Sequence, residues 1–183
     1  KFKEIIETIQ HTQPGQERNM YFSIKELFVQ TLGYPSKDIL IDVAGENSRA
    51  IPDLTVKLPL KQLPAVKSFS LDWIVIEAKD EAGVFLNSES RERIYNEKKK
   101  YIKINTAYFV MVDPYCLIIR KVVFGKEPQP NSDIIIELRH ITEEEFKKKT
   151  AFINAEQANT MKPLAEFRDG DTTRIASIKL NGE

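Results

Sequence analysis

The 183 residues hold a single cysteine, Cys116, and only two histidines, His11 and His140. One thiol excludes an internal disulfide, and three such side chains cannot assemble a Cys/His zinc cluster. An excess of charge of one sign is missing too: 27 basic residues stand against 27 acidic ones. A chain so balanced does not grip nucleic acid over its whole surface, although one local basic strip remains compatible with it. No apolar run approaches the length of a bilayer span, and KFKEIIETIQ at the start does not have the form of a signal peptide. A cytoplasmic protein with no membrane partner is the expectation. The start at Lys1 is expected of a piece of a longer polypeptide. GxSxG, a phosphate-binding glycine loop and a dinucleotide fingerprint are absent as well.

What is present is enough apolar sequence, 42% of the chain, for one domain with a real core. Phe2, Ile5, Ile6 and Ile9 predict a short amphipathic helix, broken by HTQPGQ. Phe22, Leu27, Phe28 and Leu32 fall near helical spacing up to Gly33. DILIDV and PDLTVKL predict strands around a polar turn, AGENSRA, and PLKQLPAVKSFS reads as a long hairpin connection. LDWIVIEAK follows, alternating Leu71, Trp73, Val75, Glu77 and Lys79 against Ile74, Ile76 and Ala78. Both sets are largely apolar, so this strand belongs inside a sheet with cover on each side. Residues 88–105 read as helix, TAYFVMVD, YCLIIRKVVF and DIIIEL as strands, and TEEEFKKKT as a helix with acids first and bases last. The expected class is α/β, a mixed central sheet flanked by helices, with a domain over 1–150 and a C-terminal extension or linker over 151–183.

A buried strand that carries Glu77 and Lys79 on one face raises a question, because desolvating an unpaired ion costs several kcal/mol. Asp53 begins the preceding strand. If the hairpin is symmetric about Ala65, residues summing to 130 pair, and Asp53 falls opposite Glu77 with Cβ atoms about 5 Å apart. Two carboxylates that close need a positive charge between them. A divalent cation with oxygen ligands and retained waters, magnesium above all, suits the pair, and manganese is expected to substitute. Lys79 is then placed to act on a bound water or to hold a phosphate oxygen, the set that metal-assisted phosphodiester hydrolysis needs. Two other acid-x-lysine triplets, Glu97-Lys98-Lys99 and Glu145-Phe146-Lys147, sit in predicted helices, where positions two apart diverge. Only Glu77-Ala78-Lys79 lies on a buried strand after the chain's sole Pro-Asp.

Pro52-Asp53 with Glu77-Ala78-Lys79 resembles the bipartite motif of the PD-(D/E)xK nuclease superfamily. The helix ending in LGYP and the ILIDV strand ahead of it are similar to the N-terminal nuclease domain of type I restriction enzyme motor subunits and related restriction-modification proteins. Glu97-x-x-x-Tyr101 before AYFVMVD stands where such domains often carry Gln-x-x-x-Tyr. The resemblance covers residues 17–113. It implies a restriction-endonuclease-like fold and a magnesium-dependent DNA endonuclease, the cleavage module of a restriction-modification enzyme tethered to helicase, translocase or methyltransferase parts. It implies catalytic roles for Asp53, Glu77, Lys79 and an acid on the first helix, Glu17 by position ahead of Glu26. The metal would lie on Asp53, Glu77 and the Ala78 carbonyl. Lys98, Lys99 and Tyr101, with Lys100 and Lys103 alongside, are candidate DNA contacts. The alternatives are a non-catalytic DNA- or protein-binding module on the same fold and a stand-alone repair or junction-resolving nuclease.

Overall fold

Phe2, Ile5, Ile6 and Ile9 all turn inward from the first helix, α1 (Phe2–Gln10), as their spacing requires. This computed structural model describes residues 1–42, 52–59, 70–129, 131–161, 164–167 and 175–179. After α1 the chain reverses at Pro14-Gly15, with Gly15 in the left-handed region at φ +84°. The Gly15 N–H donates to Asp80 Oδ2 at 2.6 Å, so this turn is tied to a distant loop. The second helix, α2 (Glu17–Gln30), buries Met20, Tyr21, Ile24, Leu27 and Phe28. Phe22 does not share that face. It is 63% exposed, because one residue beyond Tyr21 is a 100° rotation away from the core. Gly33, at φ +77°, follows the end of the helix.

Six strands then form one sheet in chain order: β1 (Ile39–Ile41), β2 (Leu54–Pro59), β3 (Ser70–Ala78), β4 (Tyr108–Val112), β5 (Cys116–Lys121) and β6 (Ile134–Glu137). Every neighbouring pair is antiparallel except β3 and β4, which are parallel. Parallel neighbours need a crossover, and α3 (Ser88–Lys98) provides it. Asn87 caps α3 by accepting the Ser90 N–H. The helix stops at Lys98 rather than near Asn105, and Lys99–Tyr101 continue it as one 3-10 turn. Beyond β6 come α4 (Glu143–Thr150) and α5 (Ala155–Thr160). Two short strands, β7 (Leu164–Phe167) and β8 (Ile175–Lys179), pair antiparallel with each other. The fold is α/β, a mixed sheet with flanking helices.

The sheet has a core on each side. Leu54, Val56, Ile74, Ile76, Ala78, Val110 and Val112 pack with the buried faces of α1 and α2. Val75, Phe109, Met111 and Ile118 pack with Ile94 and Tyr95 of α3 and with Phe85 and Ile102. β3 is therefore covered twice, which is why it is apolar on both faces. Burying each large apolar side chain contributes about 1.5–3 kcal/mol, enough in sum to offset one desolvated ion on the strand. An extension was expected from residue 151. The segment Ala151–Met161 instead packs on the domain: Ile153, Ala155 and Ala158 belong to the first core, and Tyr34 Oη donates to the Ile153 carbonyl at 2.7 Å.

The β2–β3 register runs Leu54 opposite Ile76, Thr55 opposite Val75 and Val56 opposite Ile74, each pair summing to 130. Between Val56 and Lys57 the register shifts, leaving Trp73 as the extra residue of a bulge. The simple alternation expected along β3 breaks there. Leu71 and Trp73 pack in the same core as Ile74 and Ile76, not with Val75. The expected AGENSRA turn and the hairpin connection over 60–69 lie outside the described residues.

Candidate active site

Asp53 is clamped where β1, β2 and β3 come together. Its carbonyl accepts the Asp42 N–H at 2.8 Å, and its Oδ2 accepts the Ala78 N–H at 2.8 Å. Continuing the β2–β3 register by one residue places it opposite Glu77, at the C-terminal end of β3. Glu77 itself is only 1% exposed. Its Oε1 is met by the ammonium of Lys79 at 2.8 Å and by that of Lys98 at 3.0 Å. Both are ion-pair contacts, and neither Oε1 nor Oε2 of Glu77 has a hydrogen-bond partner among the described residues.

Glu17 and Tyr21 reach the same place from the first turns of α2, four residues apart on one helical face. The Tyr21 hydroxyl lies 2.7 Å from Glu17 Oε1 and 2.8 Å from Asp53 Oδ1. One hydroxyl hydrogen cannot be given to two carboxylates at once, so both contacts become hydrogen bonds when Asp53 carries a proton of its own. Lys79 completes the ring. It donates to its neighbour's carbonyl, Ala78 O, at 2.7 Å and lies 3.5 Å from Glu17 Oε2. The Gly15–Asp80 bond ties the turn before α2 to the chain just beyond Lys79, close to both ends of this cluster.

The electrostatics follow from burial and proximity. Burial, then the neighbouring Glu77 charge, push the Asp53 carboxyl from its usual 3.8 up to about 6, against the pull of the Ala78 N–H, Lys79 and Tyr21. Burial also raises the Tyr21 hydroxyl, reinforced by Asp53 and Glu17, so it stays a phenol. For Lys79, burial acts to lower the ammonium, but Glu77, Asp53 and Glu17 outweigh it and the net shift is upward. Lys98 behaves alike, its burial outweighed by Glu77 and Asp53. Both lysines are therefore cations at neutral pH. Each can neutralise an oxyanion, and neither is a free base in this state.

The structure thus brings together Glu17, Asp53, Glu77, Ala78, Lys79 and Lys98. Glu26 stands apart, paired with Lys1 at 2.8 Å. Lys99 pairs with Glu127 at 3.0 Å, and Lys103 with Asp72 at 2.6 Å. Lys100 and Lys98 lie 5.3 and 5.9 Å from the centre of the Tyr101 ring. The basic run is therefore largely occupied within the protein. Glu97 is on the outer side of α3 with Arg93. Two participants escaped the sequence reading: Tyr21, whose i+4 spacing from Glu17 was a usable signal, and Lys98 as a partner of Glu77, which had none.

Three negative carboxylates and two ammonium groups leave one unit of negative charge if all are ionised. Among the described residues no three His, Cys, Asp or Glu side chains are grouped closely enough to hold a metal ion by themselves. The residues do fit a cation held by two carboxylates, a main-chain carbonyl and water. The orphaned, buried Glu77 Oε2 and the strained ionisation of Asp53 beside it are what such a charge would relieve. No protein-family model, curated protein or solved structure matches the chain. Among the described residues no helix is long and apolar enough to cross a membrane.

Proposed function

We propose that this domain is a magnesium-dependent DNA endonuclease of the PD-(D/E)xK kind, the cleavage module of a restriction-modification enzyme. The observation that carries the proposal is Glu77: a carboxylate 1% exposed, set by the β2–β3 register opposite a second carboxylate whose ionisation is opposed by burial, with a lysine on the same strand face. Structural ion pairs rarely bury two acids together, since the arrangement costs stability unless something else is gained.

Asp53, Glu77 and the Ala78 carbonyl would hold the magnesium ion, which when bound supplies an activated water and charge for the developing phosphate oxyanion. The chain's own groups do the rest. Asp53 is fixed by three strands, so its carboxylate does not have to be ordered at the moment of reaction. Lys79, kept protonated by its carboxylates, donates to a phosphate oxygen and offsets charge that builds on it. Glu17 is linked to Asp53 through the Tyr21 hydroxyl, a hydrogen-bonded path along which a proton can pass to or from the metal-holding carboxylate. Because the chain is neutral overall, affinity for the duplex would come from the domains to which it is joined.

Plasmid nicking with magnesium, with calcium and with chelator tests this. Cleavage is expected with magnesium alone, and Glu77→Gln and Asp53→Asn are expected to abolish it while circular dichroism stays unchanged. Wild-type cutting by either variant refutes the assignment of the site. Duplex binding without magnesium-dependent cutting would favour the non-catalytic module.

A further inference from the structure

Lys98 does not lie on the catalytic strand. It is the last residue of the crossover helix α3, about twenty positions downstream, and yet its ammonium reaches Glu77 Oε1 at 3.0 Å. Resting on the function proposed above, we propose that Lys98 is a built-in counter-ion of the site: it balances Glu77 in the free protein and yields that place when a divalent cation arrives.

Three observations support the exchange. The two lysines on Glu77 are held unequally. Lys79 has Glu77 at 2.8 Å, the Ala78 carbonyl at 2.7 Å and Glu17 at 3.5 Å, so losing one contact leaves two. Among the described residues Lys98 forms an ion pair with Glu77 alone, Asp53 acting on it from farther away, and it is the one that can let go. Second, Lys98 has somewhere to go. Its ammonium already lies 5.9 Å from the Tyr101 ring centre, within reach of a cation–π contact, and at a helix C-terminus that favours positive charge. Third, Glu77 Oε2 is left without a hydrogen-bond partner among the described residues although Oε1 has two cations beside it. Two ammonium groups offset its charge but leave both oxygens without a hydrogen-bond partner among the described residues, whereas a divalent ion can meet the carboxylate with two charges at one point.

Lys98 is thus a positioning residue that acts through Glu77. It offsets the charge of a buried carboxylate and holds the strand end formed without metal, and it sets how strongly metal must compete. Released toward the Tyr101 side, the same ammonium remains beside the site as a charge for an approaching phosphate. That explains why a lysine of the basic run turns inward while Lys99 pairs at the surface with Glu127.

Calorimetric titration of Mn2+ into the wild-type chain and Lys98→Met, with thermal unfolding in chelator and in Mn2+, tests the exchange. Methionine keeps the apolar stem and removes the competing charge. Roughly fivefold tighter Mn2+ uptake is expected, the factor for losing a competing ion pair worth about 1 kcal/mol. The variant should be less stable than wild type in chelator and gain more from Mn2+, and Lys98→Arg should restore the wild-type values. Equal or weaker uptake by Lys98→Met overturns the exchange while leaving the nuclease site standing. Uptake by neither protein overturns the metal reading itself, and the exchange with it.

Discussion

Replacing Asp53 by Asn removes one charge and almost nothing else. The new side chain can still accept the Ala78 N–H through its oxygen. Its NH2 can donate to the Tyr21 hydroxyl, which then gives its own hydrogen to Glu17, so both contacts survive. What disappears is the cost of ionising a carboxyl in this place. Burial and Glu77 raise it from 3.8 to about 6, a distance corresponding to about 3 kcal/mol. The sign follows from proton linkage. A carboxyl raised on folding contributes its full stability below the unfolded value and loses it as pH climbs through the folded one. Wild-type stability without metal should therefore decline from about pH 4 to above pH 6, and Asp53→Asn should remove that part of the decline. The two proteins should be nearly equal at pH 4. At pH 8 the variant should be the more stable by about 1–3 kcal/mol, the upper figure being a ceiling since its neighbours relax. Urea unfolding in chelator at both pH values measures it, on the same preparation that is scored for cleavage. A variant that is inactive yet more stable at pH 8 would mark a site where function is maintained at the expense of stability. A variant destabilised at pH 8, or by the same amount at both pH values, would refute the account of Asp53.

Tyr21→Phe should cost about 1 kcal/mol and raise the Asp53 titration midpoint further, because a hydrogen bond to its ionised form is lost. Carboxyl 13C NMR reads that midpoint, and no movement would show that the hydroxyl does not serve Asp53. Lys79→Ala should lose cleavage but still take up manganese, since it removes a positive neighbour rather than a ligand; loss of uptake by calorimetry would contradict that division of roles. The isolated 183 residues should bind duplex weakly in moderate salt and cut it slowly without sequence preference, because most of the basic run is already paired within the protein. Tight, sequence-specific binding by this chain alone would argue for a self-sufficient nuclease.

Much of the fold could be read in advance because it depends on local pattern. A strand apolar on both faces has to lie inside a sheet, and β3 lies between β2 and β4. The pairing sum of 130 followed from a symmetric hairpin and holds from Leu54 to Val56, the stretch that sets Asp53 against Glu77. Glu17 is named by the resemblance alone, as the acid on the helix ahead of the motif; a helix-start acid by itself is as readily explained by the helix dipole. Tertiary structure decided the remainder. The bulge at Trp73 has no signature in a run of apolar residues, since either neighbour could be the one left over, and it is packing against α1 and α2 that chooses. Phe22 looked like a core residue by type, but the face of α2 is set by Met20, Tyr21, Ile24, Leu27 and Phe28 together. Tyr21 shares a helical face with Glu17 on spacing alone; its contact with Asp53 exists because α2 lies across the sheet. Lys98 read as one cation in a solvated run. Only the parallel β3–β4 pairing, which obliges α3 to cross back along the sheet, brings its ammonium to a carboxylate twenty-one residues earlier.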